Sequence, residues 1–269
     1  MSGLNILFLG DVYGKPGRKV IQEELPKLRK EKAIDFVVAN GENMAHNRGI
    51  TAKTIQEIRD SGVDVVTLGN HTWSNDGHED VVGVNPRVLR PANYPPGHAG
   101  EGFHIYEYNG KRIAVLNIMG RLWMESNLDC PFQYSRKLMK EYRIGEDYDA
   151  MIVDIHAETG SEKQTIAHIW DGRASLVVGT HTHVPTADTR IYPKGTGFQT
   201  DAGMCGNYES SLGATYETGI IPFERKGRFR FEVASGPATM CGVFAKLNEK
   251  GLCEHIEAVR VGGVLKQTN

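Results

Sequence analysis

Three shortages mark this sequence: cysteine is sparse, neither charge sign dominates, and no apolar run is long. Its four cysteines, Cys130, Cys205, Cys241 and Cys253, lie scattered through 269 residues with no CxxC spacing. That fits free thiols in a reducing cytoplasm better than a disulfide framework or a zinc knuckle, so the cytoplasm is the expected location. Lys and Arg total 31 against 33 Asp and Glu, for a formal net charge of -2. With no general basic field, stable nucleic-acid binding is not expected, whereas a small substrate is. The apolar run Ile6–Leu9 closes at Gly10-Asp11; it is too short for a membrane span and lacks the basic flank of a secretory signal. No linker, low-complexity tract or internal repeat is visible, so residues 1–269 read as one domain.

What is present is ordinary globular composition, 40% hydrophobic and 24% charged, in an alternating α/β pattern. Asn5–Leu9, Phe36–Ala39 and Val63–Leu68 read as buried strands. Between them run a helix opened by Pro16-Gly17, with Val20, Ile21, Leu25 and Leu28 on one face, and a helix that Thr51 can cap. Pro26 is expected to bend or end the first helix. Near-continuous apolar strands alternating with helices indicate a parallel sheet covered on both faces. Asn109-Gly110 predicts a hairpin. A strand Met151–Ile155, a helix Glu162–Trp170 and a strand Ser175–Val178 follow, and short β runs from Thr186 onward suggest a second sheet packed on the first.

Polar residues gather where strands should end: Asp11, the run Asn40-Gly41-Glu42-Asn43, Asn70-His71, His156, and His181-Thr182-His183. In open α/β sheets ligands bind outside the carboxyl ends of the strands, so these loops should converge. Carboxylate and amide oxygens mixed with imidazoles suit manganese, iron or zinc, and the lack of thiolate argues against structural zinc. Two ions roughly 3.5–4 Å apart need a bridging anion, which a carboxylate can be. A hydroxide held between them attacks phosphorus near neutral pH, because a bound ion can lower the pKa of water to about 7. A nearby His can protonate the leaving alkoxide.

The series Gly10-Asp11, Gly41-Glu42-Asn43, Gly69-Asn70-His71, His156 and Gly179-Thr180-His181-Thr182-His183 resembles the ordered motifs of calcineurin-like metallophosphoesterases. The fuller strings GDVYGKPGR, NGENMAHNRGIT, LGNHTW, DIHAETGSEK and VVGTHTHVPTAD, with TDAGMCG near Asp201, resemble the bacterial YmdB-like branch over most of the chain. The resemblance implies four layers, two mixed β-sheets packed together and flanked by helices. It implies Asp11, Asn43 and His183 on one metal ion, Asn70, His156 and His181 on the other, Glu42 bridging, and His71 as general acid. It further implies iron or manganese, divalent or trivalent, and phosphodiesterase activity on cyclic nucleotides such as 2′,3′-cAMP. Two departures from the wider superfamily stand out. Asp11-Val12-Tyr13 replaces the usual Asp-x-His, with Asn43 as the natural substitute ligand, and Glu42 replaces the usual bridging Asp. Both favour a harder ion and put zinc at that site in doubt, although zinc stays an alternative.

Plainer roles stand beside these. Asp11 could cap the following helix, and Asn40 near Gly41 reads as a turn residue. His181 and His183, two apart, face the same side of an extended chain. Asp154 alternates to the same strand face as His156, where it could orient the imidazole or simply bond at the strand end. Arg48 could meet a substrate phosphate, and Trp73 could stack on a base, although buried packing is its commoner role. His46, His78, His98, His104, His168 and His255 fall in no motif and read as surface or structural. A P-loop fails in the Gly10–Gly17 segment, because the spacing is one short and Pro16 stands where Ser or Thr is required. The expected function is therefore a dinuclear phosphodiesterase. A nucleotidase-type phosphomonoesterase on the same metals and a regulatory nucleotide-binding protein with little turnover are the alternatives, and a homo-oligomer is expected only because symmetric assembly is common.

Overall fold

The computed structural model describes residues 3–76, 78–124, 127–227 and 229–268. Two mixed six-stranded sheets stack face to face, with helices on both outer faces, so the four-layer expectation holds. In the first sheet β1 (Asn5–Leu9), β3 (Phe36–Asn40), β4 (Val65–Thr67) and β5 (Val88–Leu89) are parallel. The sheet is completed from the far end of the chain: β13 (Met240–Leu247) pairs antiparallel with β1, and β14 (Cys253–Val261) with β13. Between β1 and α1, the short β2 (Asp11–Val12) pairs with β12 (Met204–Cys205).

The second sheet has the order β10 (Arg190–Ile191), β11 (Gly197–Gln199), β9 (Leu176–Thr180), β8 (Ala150–His156), β7 (Lys111–Met119), β6 (Phe103–Tyr108). The hairpin between β6 and β7 turns at Asn109 and Gly110, both at positive φ, as an Asn-Gly turn requires. Most of this sheet precedes Thr186 in sequence, and only β10 and β11 follow it, so the expected division of the chain between sheets is corrected. The first sheet is covered on both faces, as expected, by helices on one and by the other sheet on the second, but β13 and β14 make it mixed rather than parallel.

Helices α1 (Gly14–Glu31), α2 (Ala52–Asp60) and α3 (Glu79–Val82) pack on the first sheet through Ile21, Leu25, Ile55, Ile58 and Val81. Thr51 caps α2 in a reciprocal capping box with Thr54. Pro26 does not end α1, which runs on to Glu31. The missing N–H costs one ladder bond, while burial of Leu25 and Leu28 on either side holds the helix down. On the second sheet lie α4 (Pro131–Glu141) and α5 (Gly160–Trp170), with Leu138, Ile166 and Trp170 turned inward. The short α6 (Tyr216–Gly219) and α7 (Ile221–Glu224) belong to the excursion between β12 and β13. All four cysteines are free thiols. Among the described residues no helix is long and apolar enough to cross a membrane.

Side-chain alternation along the strands sorts the core. Ile6 and Phe8, Phe36 and Val38, Ile113 and Val115, and Ala150 and Ile152 face the opposing sheet, and their sequence neighbours face the helices. Phe8 is completely buried between the sheets. Phe8→Ala is expected to cost about 3–5 kcal/mol, read as a lowered urea midpoint at unchanged slope.

Candidate metal centre and its cavity

The inter-sheet columns change character at the carboxyl ends of the strands. Phe36 and Val38 are followed on the same face by Asn40, Val65 by Thr67, Ile113 and Val115 by Asn117, Ala150 and Ile152 by Asp154 and His156, and Leu176 and Val178 by Thr180. All six polar side chains that end these columns are fully buried, and they bond across the gap between the sheets. The Asp154 carboxylate accepts from Thr67 Oγ1 at 2.5 Å and Asn40 Nδ2 at 3.0 Å in the first sheet, and from Thr180 Oγ1 at 2.7 Å in its own. Asn117 Nδ2 donates to the carbonyls of Leu68 and Leu89 at 2.7 and 2.8 Å.

Above this floor three imidazoles are turned alike, one nitrogen anchored and the other aimed inward. Thr180 donates to Asp154, so it accepts from His156 Nδ1 at 2.9 Å, and Nε2 of His156 points into the site. His181 Nε2 lies 3.0 Å from the Glu158 carboxylate, and its Nδ1 lies 3.1 Å from His156 Nε2. His183 Nδ1 donates to the Leu212 carbonyl at 3.0 Å, which leaves Nε2 3.9 Å from Asp11 Oδ1. Around His156 Nε2 stand Glu42 Oε1 at 3.1 Å and Asn70 Oδ1 at 3.0 Å. Donor atoms of Glu42, His156 and His181 lie within 4.8 Å of one another. The other Glu42 oxygen accepts from the His71 backbone N–H at 2.9 Å, and Asp11 Oδ2 accepts from that of His181 at 3.1 Å. Gly69 makes this approach feasible, because a Cβ there would overlap both the His156 ring and the Glu42 carboxylate.

Two oxygens remain conspicuous. Asp11 Oδ1 and Asn43 Oδ1 are buried with no hydrogen-bond partner, a costly condition for an acceptor unless a cation serves it. The electrostatics agree. Burial pushes the Asp11 carboxyl up to about 6, against the pull of His183 and His156. Burial alone would depress His156, yet Glu42 at contact distance, with Asp11 and Asp154 behind it, drives it up to about 9. Burial would raise Glu42, but His156 and the His71 N–H hold it well below the usual carboxylate range. Burial and the neighbouring His156 charge push His181 down to about 3. This pocket of acids stabilises positive charge, and hard oxygens with imidazole nitrogens suit a divalent cation.

Residues 7–259 match the model of the YmdB-like protein family. The chain belongs to that family. The 2′,3′-cyclic-nucleotide 2′-phosphodiesterase of Bacillus subtilis is 43% identical over 247 residues, covering 92% of each chain. The crystal structure of a novel phosphatase from Mycoplasma pneumoniae superposes with a TM-score of 0.90 at 36% identity, over 97% of this chain and 95% of that one. A 5′-nucleotidase precursor from Thermus thermophilus, at 11% identity and a TM-score of 0.59 over 96% of this chain and 54% of its own, shares the fold. This YmdB-like chain thus has a metallophosphoesterase fold, which implies divalent cations, and its cluster of oxygen and nitrogen donors fits them.

Of the residues singled out from the sequence, Glu42, Asn70, His156 and His181 meet directly, and Asp11 and His183 stand beside them. Glu42, Asn43, Arg48, His71, His181 and His183 line one cavity of about 360 Å³. Other readings are corrected. Asp11 does not cap α1; Tyr13 occupies that position without a side-chain cap. Asn40 Oδ1 does accept the Glu42 N–H in a local turn, but its amide reaches across to Asp154. His181 and His183 are not extended: both have positive φ, 99° and 66°, with His181 turned to His156 and His183 to Asp11. Trp73 lies outside the cavity, packed against His78, Tyr94 and His98, so it is not placed to stack on a base.

The supports of the cluster escape a reading of the sequence. Thr180 and Thr67 carry no signal by themselves, and Glu158 has none beyond its place beside His156. Lys163 and Asp201 form a fully buried pair at 2.7 Å, and Asp201 also accepts from the Thr182 N–H and hydroxyl. That bonding pins the residue between the two strained histidines.

A cation on His156 Nε2 must displace the proton that the acids hold there. Affinity for Mn²⁺ is therefore expected to rise with pH by up to about tenfold per unit until near 9, and more steeply below about 6, where Asp11 is also protonated. Calorimetric titration between about pH 5.5 and 8.5 measures this, and a flat profile removes His156 from the ligand set.

Proposed function

We propose that the chain is a phosphodiesterase that opens 2′,3′-cyclic nucleotides, using two cations. The observation that carries this reading is the pair of buried, unpartnered oxygens of Asp11 and Asn43 beside the Glu42–His156–His181 cluster. Membership of the YmdB-like family makes the chain a phosphoric ester hydrolase. The name of the Bacillus subtilis relative supplies the finer substrate and the bond cleaved.

In this proposal Asp11, Asn43 and His183 would hold one ion, Asn70, His156 and His181 would hold the other, and Glu42 would contribute to both. The oxygen-rich first set favours iron or manganese over zinc. Such ions supply charge neutralisation on the phosphoryl oxygens and a water acidic enough to act as nucleophile near neutral pH. The protein fixes their positions in advance. Its anchored imidazoles and the Asp154 network do not reorganise as negative charge builds on phosphorus.

The water gives up one proton to solvent, its oxygen bonds to phosphorus, the P–O2′ bond breaks, and O2′ keeps the electron pair. His71 delivers the proton that O2′ then needs, giving a nucleoside 3′-phosphate. It sits at the cavity edge, its backbone N–H bonded to Glu42 and its Nδ1 3.2 Å from Ser74 Oγ, with Nε2 on the Asn70 side. Arg48, in the same cavity, completes the proposed substrate contacts.

His71→Ala is expected to retain both metals and lose roughly 10²–10⁴-fold in kcat on 2′,3′-cAMP. Metal content by elemental analysis and turnover on matched diester and monoester substrates check this. Wild-type turnover in the variant removes His71 from the mechanism, and a higher kcat/KM on the monoester overturns the diester reading.

A further inference from the structure

The cavity has two unlike walls. One carries the metal-ligand candidates; the other is apolar and comes from the excursion between β12 and β13, with Leu212, Ala214, Pro222, Phe223 and Phe231. Tight bonding at its base holds this excursion closed. Ala214 bridges to Val233, the Thr215 N–H donates to the Glu232 carbonyl at 2.9 Å, and the Glu232 N–H donates to Thr218 Oγ1 at 3.1 Å. Pro222, at the start of α7, sets the turn that presents the next residue, Phe223.

Phe223 is 86% exposed although it lines a cavity. A ring so placed adds nothing to the core, and its apolar face stays in water until something covers it. Phe231 stands in the same wall with the Arg48 guanidinium 6.0 Å over its ring, at the outer limit of a cation–π contact. This wall is tied to the metal loop: Asn43 Nδ2 donates to the Asn47 carbonyl at 2.9 Å, and Asn47 Nδ2 donates to the Phe231 carbonyl at 3.2 Å. One short relay therefore ties the Phe231 part of this wall to the metal loop. A cavity of about 360 Å³ whose lining combines charge chemistry with an exposed ring matches a mononucleotide, whose base offers the flat face that the ring lacks.

We propose that Phe223 is the platform on which the substrate's nucleobase stacks, with Phe231 and Arg48 closing the side of that subsite. This rests on the phosphodiesterase reading of the same cavity and adds the residue that recognises the base, and with it a preference for nucleoside cyclic phosphates over base-free cyclic diesters. Stacking accepts any base, so discrimination among bases is modest.

The test compares wild type, Phe223→Ala and Phe223→Tyr on 2′,3′-cAMP and on glycerol 1,2-cyclic phosphate, which has no base. Affinity for adenosine 3′-monophosphate is measured in parallel by calorimetry. Loss of the ring is expected to raise KM for 2′,3′-cAMP on the order of tenfold or more, with kcat and the kinetics on the base-free diester unchanged and the Tyr variant restored to wild type. Because the side chain is exposed, the Ala variant keeps its thermal midpoint. An unchanged KM, or equal losses on both substrates, overturns the platform while leaving the phosphodiesterase reading intact. A change in oligomer mass with KM unchanged does the same and assigns the ring to self-association. If wild type opens neither diester, the phosphodiesterase reading fails, and the calorimetry alone decides the platform. Weaker nucleotide binding in Phe223→Ala with recovery in Phe223→Tyr keeps it, and equal binding in all three ends it.

Discussion

A buried carboxylate joins the two sheets of this protein at the end where the chemistry sits. Asp154 takes hydrogen bonds from Asn40 and Thr67 in one sheet and from Thr180 in the other. Burial raises its pKa, even against His156 and these three donors. An anion held in such surroundings must be satisfied almost completely, because each missing partner exposes the full cost of desolvation. That requirement fixes the spacing of β3, β4, β8 and β9 at their carboxyl ends, and through Thr180 it fixes the tautomer and aim of His156. The apolar layer below supplies stability; the polar layer above sets geometry. The metal-ligand candidates rest on the second and could not be placed by the first alone.

The loops above that floor are held in conformations they would not choose. His181 and His183 both have positive φ, sparsely populated for residues with a Cβ and costing on the order of 1–3 kcal/mol each. The residue between them is clamped by Asp201, whose carboxylate is in turn paired with Lys163, both fully buried. A buried pair of this kind is weak evidence of added stability, since desolvation consumes much of the attraction. Its visible effect is positional: it holds the Thr182 backbone where His181 turns to His156 and His183 turns to Asp11. Tyr208 supports the same turn by donating to the His183 carbonyl at 3.1 Å.

Much of the architecture follows from local signals. Apolar strand runs, Thr51 before a helical stripe and the Asn-Gly turn each act over a few residues, and each appears in the structure at the place it predicts. Effects acting over longer distances defeat the local rules. Pro26 reads as a bend or an end in α1, and the helix nonetheless continues because the rule omits the pull of the sheet beneath Leu25 and Leu28. The spacing of His181 and His183 suggests an extended pair because nothing local reveals two left-handed residues; the Asp201 that clamps the turn between them lies 19 positions beyond Thr182. Trp73 reads as available to a base because it follows His71, but its ring turns into a cluster with Tyr94 and His98.

Residue order alone settles the strand columns, the succession of the motifs and the donor chemistry at each strand end. These depend on residue type and on a period of two or about 3.6. It also carries the glycines, of which Gly69 admits His156 and Glu42 to one point. The folded arrangement was needed to choose which strands meet across the gap and to give Asn40 and Thr67 to Asp154 as donors. It was needed, too, to bring Phe223, in a wall distant in sequence, to face the metal-ligand candidates. Those relations are set by the stacking of two sheets and by buried polar groups seeking partners. The partner of a buried group is chosen by proximity in space, which no local pattern encodes.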